Sequence, residues 1–191
     1  ILRSMVNTSL ETGYRGICVF PEMAEMMLDC VAGSMLDADQ CISVVVGFPF
    51  GVDALERKLR TLPWFVTDVD VVANLQYLKS RNFSATLTEL QVLRAFYTKK
   101  TLKVIIESEL LDVASIKFAC EVCNVAGVDV IKSCSGFHDT VTDEKLRVMV
   151  EYKGRCQIKA SGGVKTVERA MEVLEIGADV LGSSAMLDLD K

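Results

Sequence analysis

Two lysines of this chain stand at positions where lysine is unusual. Lys132 directly follows the apolar run at 128–131, and Lys159 follows another at 156–158. Both runs are typical of buried strands, where an ammonium group costs several kcal/mol unless it is paired or neutralised. A cation close to a second amine lowers the pKa of that amine, and a neutral lysine attacks a carbonyl carbon to form a Schiff base. The pair therefore indicates Schiff-base chemistry, with charged rim lysines bound to carboxylates as the alternative.

A carboxylate has a similar placement. Asp70 directly precedes Val71 and Val72 in a third apolar run, and we expect it to face the same interior as the lysines. A carboxylate there relays protons through water to the intermediates of an amine-catalysed reaction. It could instead form a salt bridge with Lys132 or Lys159, and the two roles are compatible.

Two loops near the end of the chain resemble phosphate-binding loops. Ser161-Gly162-Gly163 follows one strand-like run, and Gly182-Ser183-Ser184 follows the next. In parallel α/β barrels the last two strand–helix loops commonly bind phosphate through backbone N–H groups and a helix N-terminus. We therefore predict a phosphate site there, with purely structural turns as the alternative.

These residues need strands to position them, and the sequence contains seven candidates. Each is short and rich in β-branched residues, and helical patterns lie between them. The runs are residues 16–20, 42–48, 68–75, 102–108, 128–135, 156–161 and 178–184. Apolar strands that alternate with helices predict a parallel sheet covered by helices.

The spacing of the strands favours a closed barrel. Their centres lie about 27 residues apart, and eight such units need roughly 215 residues, at the lower end of the (β/α)₈ range. The 191 residues fall short by about one unit. We predict a single α/β domain over residues 1–191, a TIM-type (β/α)₈ barrel that lacks its first strand, with residues 1–14 forming a helix before the first visible strand.

Three helical stripes are expected to pack on this sheet. They are Met23, Met26, Met27 and Cys30; Ile116, Ala119, Cys120 and Cys123; and Val167, Ala170, Met171 and Leu174, with Gly177 ending the third helix. The Cys120-x-x-Cys123 pair lies on such a stripe, which favours packing over redox chemistry. We expect His138 to be a loop residue and not a catalytic base.

Composition excludes several classes of protein. The net charge is −5 with no long cluster of Lys or Arg, which argues against nucleic-acid binding. The uncharged run Cys41–Val52 is too short to cross a bilayer, and no signal peptide is evident, so we expect neither membrane association nor secretion. Seven cysteines with one histidine make a Cys/His zinc site improbable and predict reduced thiols in a cytoplasmic protein.

Several motifs resemble the deoxyribose-phosphate aldolase family, in order and position, over nearly the whole chain. The segments are Ile-Cys-Val-Phe-Pro (17–21), Gly-Phe-Pro-Phe-Gly (47–51), Val-Asp-Val-Val (69–72), Leu-Lys-Val-Ile-Ile-Glu (102–107), Val-Ile-Lys-Ser-Cys-Ser-Gly-Phe (130–137), Ile-Lys-Ala-Ser-Gly-Gly-Val (158–164) and Gly-Ser-Ser (182–184). The family's first strand, with its Asp-His-Thr segment, is not among them.

The resemblance implies a class I aldolase of deoxyribonucleotide catabolism that needs no metal and no organic cofactor. Its substrate would be a small phosphorylated sugar, 2-deoxy-D-ribose 5-phosphate, which is cleaved to acetaldehyde and glyceraldehyde 3-phosphate. It implies that Lys132 forms the Schiff base, Lys159 perturbs its pKa and Asp70 relays protons. Phosphate would be held by Gly136, Gly162, Gly163, Ser183 and Ser184.

Two alternatives to this assignment remain open. The chain could be another Schiff-base phosphosugar lyase or a transaldolase on the same barrel. It could also be a degenerate barrel that binds sugar phosphate without turnover, in which case its lysines would be charged and paired. A homodimer is compatible with either assignment.

Overall fold

A computed structural model describes residues 14–27, 40–49, 51 and 55–185 of the chain. Its sheet has seven parallel strands, and each strand pairs with the next one in sequence. The strands are β1 (Gly16–Val19), β2 (Cys41–Val46), β3 (Asp68–Val72), β4 (Thr101–Ile105), β5 (Val130–Lys132), β6 (Gln157–Ser161) and β7 (Val180–Gly182). All seven strand predictions are confirmed, and so is the parallel α/β class.

Helices connect the strands and cover the sheet. They are α1 (Pro21–Met26), α2 (Leu55–Lys58), α3 (Leu75–Lys79), α4 (Phe83–Phe96), α5 (Val113–Ala126), α6 (Asp143–Tyr152) and α7 (Val167–Ile176), with a 3₁₀ turn at Ser108–Leu110. None of the helices in the described part of the chain is both long enough and apolar enough to span a membrane.

The central strands are buried on both faces. Every residue of β3 is buried. Val69 and Val71 pack in the main core under the helices, because β-branched side chains fit the pleated surface of a sheet. Asp68, Asp70 and Val72 alternate with them and point to the opposite, concave face of the sheet, where Val72 packs with Val45 and Ile105.

The helix predictions are confirmed for one stripe and partly wrong for two. Ile116, Ala119, Cys120 and Cys123 on α5 are all buried. On α7, Ala170 and Val173 are buried, whereas Met171 and Leu174 are exposed. On α1, Met27 is buried and Met23 half-buried, whereas Met26 is exposed; Cys30 lies outside the described residues. In both incorrect cases, apolar residues beside the buried stripe face outward. They are Met26 on α1 and Met171 and Leu174 on α7, and they are exposed because only one face of each helix contacts the sheet.

The ends of α5 and α7 follow from local chemistry. The Asp112 side chain accepts a hydrogen bond from the Ser115 backbone N–H at the start of α5. Gly177 ends α7 in the left-handed region at φ 117°, as predicted, and its N–H bonds the Leu174 carbonyl.

The sheet curls but has two edges in the described residues. β1 pairs with β2 and β7 pairs with β6, and no pairing joins β1 to β7. The edge strands are the least covered, with three of the four β1 residues and all three β7 residues only partly buried or exposed. The helix predicted over residues 1–14 falls almost entirely outside the described residues. The extent of the domain stays a prediction.

Candidate active site

Strand register brings the two predicted lysines together. Lys132 on β5 is the direct neighbour of Lys159 on β6, so both side chains leave the sheet on the same face. Both residues are buried, Lys132 with 7% and Lys159 with 9% of its surface exposed. Gly182 on β7 leaves room for this arrangement, because a Cβ there would lie 3.0 Å from Lys159 Cε.

Asp70 connects the two amines. Its Oδ2 atom lies 2.9 Å from Lys132 Nζ and 3.8 Å from Lys159 Nζ. The residue is completely buried, so these contacts act in a medium of low dielectric constant. The structure thus brings all three predicted catalytic residues into one cluster, and it also forms the salt bridge that was the alternative role of Asp70.

Two further charged residues belong to this cluster, and sequence reasoning did not single them out. Lys103 Nζ on β4 lies 2.5 Å from Asp68 Oδ2 and 3.1 Å from Asp70 Oδ1, and it donates to the Ser43 hydroxyl at 2.8 Å. The signal was present in the sequence. Lys103 is a lysine inside an apolar strand, and Asp68 lies two residues before Asp70, on the same face of β3.

Charge and burial set the protonation of the cluster. Burial alone would raise the pKa of Asp70, but the ammonium groups of Lys132, Lys159 and Lys103 outweigh it and hold that pKa well below its usual value. Burial also opposes the charged form of Lys103. Its two carboxylate partners more than compensate and raise its pKa.

The pKa values of Lys132 and Lys159 are shifted in opposite directions, and one of the two shifts corrects a prediction. Burial disfavours the ammonium form of Lys132, but the Asp70 carboxylate overcomes it and raises the pKa of Lys132. Burial dominates at Lys159 and lowers its pKa, with Lys132 and Lys103 adding to the effect. The expected net lowering of the Lys132 pKa is therefore wrong for the ligand-free site, because the carboxylate of Asp70, the closest partner of Lys132, outweighs burial and the neighbouring cations.

Loop contacts fix the ends of β5 and β6. The Ser133 hydroxyl donates to the Ser161 carbonyl at 2.8 Å and accepts from the Ser161 N–H at 2.9 Å. Glu107, two residues after β4 and directly before the 3₁₀ turn, is a left-handed residue with φ 49°, and its carboxylate accepts a hydrogen bond from the Ser135 N–H at 3.1 Å. These bonds hold the loop that follows Lys132 against its two neighbours.

A cavity of about 660 Å³ opens above the cluster. Lys103, Lys132 and Lys159 line it, together with the predicted phosphate loops. Phe20 and Phe48 line it as well, and the Phe48 ring makes edge-to-face contacts with Phe20 at 5.4 Å and with Phe137 at 5.9 Å. A cavity that combines apolar side chains with a few polar groups is typical of a small-molecule site.

The predicted phosphate-binding residues surround one side of this cavity. Gly136, Gly162 and Gly163 all have positive φ, and the site of a Gly136 Cβ lies 3.9 Å from Gly162 Cα, so their loops are adjacent. The five backbone N–H groups of Gly136, Gly162, Gly163, Ser183 and Ser184 donate to no acceptor within the described part of the chain. Free amides on left-handed turns form anion-binding concavities.

Helix α7 contributes less to this side than expected. The Thr166 hydroxyl already accepts the Arg169 N–H at 3.2 Å, which caps the first turn. The amides available to an anion therefore belong to the glycine loop before the helix. The helix expected after Ser184 lies outside the described residues.

The remaining candidates take no part in the cluster. Cys120 and Cys123 are buried in the core, and burial raises the pKa of Cys120 to about 12, as the packing interpretation predicts. His138 lies in a loop at the cavity rim, half-buried, with its ring 5.3 Å from that of Phe137. Among the described residues no group of three or more His, Cys, Asp or Glu side chains could hold a metal ion.

Comparison with known proteins supplies independent findings. The chain is 33% identical to a deoxyribose-phosphate aldolase of Crocosphaera subtropica, over 90% of this chain and 78% of that protein. It is 30% identical to the corresponding enzyme of Aquifex aeolicus, over 98% of this chain and 86% of that protein. No family model matches the sequence.

A solved structure agrees in fold. The crystal structure of a protein described as a deoxyribose-phosphate aldolase from Coccidioides immitis superposes with a TM-score of 0.89 at 24% identity, covering 96% of this chain and 75% of that one. At this identity the likeness concerns the fold alone.

Proposed function

The chain belongs to the deoxyribose-phosphate aldolase family, and from that premise we propose that it cleaves 2-deoxy-D-ribose 5-phosphate to acetaldehyde and glyceraldehyde 3-phosphate through a Schiff base on Lys132. The observation that carries the proposal is the register pair Lys132–Lys159 with Asp70 between the two amines. Its place in metabolism would be deoxyribonucleotide catabolism.

The reaction begins when Lys132 loses its proton. The amine most readily neutral in the free site is Lys159, because its pKa is lowered by burial. Both amines contact the same oxygen of Asp70, at 2.9 and 3.8 Å. A proton that moves from Lys132 to Lys159 along this oxygen, or through a water beside it, creates the neutral nucleophile without changing the charge of the site.

Bond making and breaking then follow from the neutral amine. Lys132 Nζ adds to the C1 carbonyl carbon of the open-chain sugar, and loss of water from the carbinolamine gives an iminium ion. The C2–C3 bond breaks as the C3 hydroxyl gives up its proton to Asp70 or its water, which releases glyceraldehyde 3-phosphate and leaves an enamine. The enamine carbon takes a proton back, and water hydrolyses the imine, releasing acetaldehyde and Lys132.

The phosphate would be held on the β6–β7 side of the cavity. The N–H groups of Gly162 and Gly163, and those of Ser183 and Ser184, donate to no acceptor in the described chain, and Gly136 lies beside them. This side adjoins Lys159, so a bound phosphate directs the opposite end of the sugar towards Lys132. No metal and no organic cofactor enters the proposed reaction.

The fold supports an eight-stranded interpretation of the barrel. We assign β1–β7 to the second to eighth strands of a (β/α)₈ barrel, since β1 and β7 are the edges of the sheet and the least covered of the described strands. On this assignment the whole chain is one domain.

Trapping with borohydride tests the proposal. Acetaldehyde and sodium borohydride should add an ethyl group of about 28 Da to Lys132, which peptide mass mapping locates, because reduction makes the imine permanent. The Lys132→Ala variant should form no such adduct, and the Lys99→Ala variant, at an exposed lysine, should react like the original chain. An adduct that survives in Lys132→Ala overturns the assignment of the nucleophile.

A second candidate has one observation in its favour. The Lys132 ammonium is paired with Asp70, and its pKa is raised. A barrel that binds sugar phosphate without turnover would keep this pair intact. Such a protein would bind 2-deoxy-D-ribose 5-phosphate in calorimetry but give no borohydride adduct at any pH.

A further inference from the structure

The active-site cluster contains more amines than carboxylates. Within the described residues the contacting carboxylates are Asp68 and Asp70, and the amines are Lys103, Lys132 and Lys159. All five residues have less than a tenth of their surface exposed. Fully charged, the cluster would carry one uncompensated positive charge in the interior, which favours loss of one proton.

Geometry decides which amine keeps its proton in every state. Lys103 Nζ contacts both carboxylates, Asp68 at 2.5 Å and Asp70 at 3.1 Å, and a hydroxyl as well. Lys132 and Lys159 have only the remaining oxygen of Asp70 between them. Lys103 therefore stays an ammonium group, and its positive charge balances one of the two carboxylate charges. One carboxylate charge is left for Lys132 and Lys159.

We propose that Lys103 and Asp68 are positioning residues that set the charge balance of the site, so that above the lower of their two titration midpoints Lys132 and Lys159 share a single proton and one of them is a free amine. The proposal deepens the proposed function, on which it rests for the role of Lys132. It assigns to the Asp68–Lys103 pair a task that neither the comparisons nor the sequence motifs give it.

The other groups around the cluster leave this balance unchanged. The thiol of Cys18 on β1 lies 3.8 Å from Asp70 Oδ2, and its pKa is raised by desolvation and by that carboxylate, so it is neutral. Burial and Asp68 likewise raise the pKa of Cys41 on β2. β7 contributes Val180 and Gly182, which do not titrate. Outside the cluster, the other titratable residues that line the cavity are Arg15, His138, Asp139 and Lys165. Lys100 lies near enough to Asp68 for that carboxylate to act on its pKa.

This charge balance predicts opposite effects for the loss of Lys103 and the loss of Asp68. Lys103→Met leaves two carboxylates for two amines, so both remain charged and a free amine appears only at higher pH. Asp68→Asn leaves one carboxylate for three amines, so a free amine appears at lower pH. The double variant has one carboxylate for two amines and regains the original excess of one charge.

Competitive labelling measures the free amine without requiring turnover. Trace acetic anhydride is applied from pH 6 to 11, and peptide mass spectrometry follows acetylation of Lys132 and Lys159. We expect the lower of the two midpoints to rise by about 1 pH unit in Lys103→Met and to fall by about 1 unit in Asp68→Asn, the smallest shift typical of a charge removed at this range. The double variant should return close to the original midpoint.

Controls separate charge balance from structural damage. Lys99→Met changes the net charge by the same amount at an exposed position and should leave both midpoints in place. A purely structural role would move the two single variants in the same direction, and that result, or unmoved midpoints, overturns the proposal. If Lys103→Met does not fold, the downward shift in Asp68→Asn and its reversal in the double variant decide the question.

Acetylation and borohydride trapping together distinguish this inference from the proposed function. Opposite shifts combined with no borohydride adduct in the original chain would support the charge balance and overturn the aldolase assignment. An adduct on Lys132 without opposite shifts would support the aldolase assignment and overturn the charge balance.

Discussion

At the scale of single residues, the site is governed by the position of one carboxylate. Asp70 lies between amines from three neighbouring strands, and each of its oxygens faces a different lysine at close range, Lys103 on one side and Lys132 on the other. Removal of one charge from this cluster should therefore shift the pKa of every remaining ionisable residue in it. Removal of a charge from an exposed ion pair has a smaller effect, because water screens it.

Lys159 is the member whose replacement gives the clearest pH signal. In Lys159→Leu, two carboxylates face two amines, so we expect the pH profile of the Lys132–acetaldehyde adduct to move about 1 unit to higher pH. Borohydride trapping at a series of pH values measures the shift. A profile that stays in place would show that Lys159 does not influence the nucleophile.

Stability should depend on the same residue, with a definite sign. The folded protein disfavours protonated Lys159, so between its lowered pKa and the ordinary 10.5 the unfolded state binds more protons. The free energy of unfolding then rises with pH across this interval. Urea denaturation should show a smaller rise in Lys159→Leu, whereas Lys99→Leu, at an exposed site, should behave like the original chain.

At the scale of elements, loops and buried ion pairs hold the strand ends in place. The loop at Gly162 and Gly163 is the clearest case, because both residues have positive φ and are closely surrounded. A Cβ at Gly163 would lie 2.5 Å from Thr140 Cγ2. Side chains are excluded there by conformation and by space.

Gly163→Ala should therefore impair phosphate recognition. We expect a higher KM for 2-deoxy-D-ribose 5-phosphate and little change for unphosphorylated deoxyribose, because the displaced amides contact only the phosphate. Gly154→Ala is the matched control. It has φ +55° and an equally close neighbour, Asn124 Oδ1 at 2.5 Å, but it does not line the cavity. Equal effects of the two variants on both substrates would contradict the phosphate assignment.

A second buried ion pair connects three elements outside the site. Lys58 Nζ lies 2.7 Å from Glu89 on α4, and it also donates to the carbonyls of Gly51 at 3.0 Å and Val72 at 2.9 Å. Lys58 is completely buried. It thus ties helix α4, the loop after β2 and the end of β3, two residues beyond Asp70.

Loss of one partner of this pair should destabilise the fold strongly. Lys58→Met leaves Glu89 as an uncompensated buried charge, and we expect the free energy of unfolding to fall by about 3–5 kcal/mol. Urea denaturation checks the value. In the double variant Lys58→Met, Glu89→Leu much of the loss should be recovered, since no buried charge remains; a double variant less stable than the single one would contradict this explanation.

At the scale of the whole molecule, the distinctive feature is the curled sheet, which has two edges in the described residues. β1 and β7 each have one strand neighbour in the described chain, and both are only partly covered. Unpaired strand edges are places where another strand adds readily. The eight-stranded assignment would add a strand between these two edges, and a homodimer could cover the same edges.

Hydrogen exchange should reveal whether the gap is occupied. If it is open, peptides covering β1 and β7 should exchange at least about tenfold faster than those covering β3 and β4, because edge amides open with lower free energies. Mass spectrometry measures the rates, and repetition at several protein concentrations detects a second copy. Equal protection of edge and central strands would show that a further strand fills the gap.

The sequence by itself determined the strands, the fold class and the lysine pair. Short runs rich in β-branched residues sufficed for all seven strands, because strand burial is imposed by side chains only a few residues apart. A lysine inside such a run is conspicuous for the same local reason. The family motifs then identified Lys132, Lys159 and Asp70 as one set.

Only the tertiary structure decided how the charges are shared. Lys103 and Asp68 carried the same sequence signal as Lys132, but their contact with Asp70 depends on the register between β3 and β4. The direction of the Lys132 pKa likewise depends on a distance of 2.9 Å to a carboxylate 62 residues away. Electrostatic energies vary with separation and burial, which are properties of the folded chain and not of its local sequence.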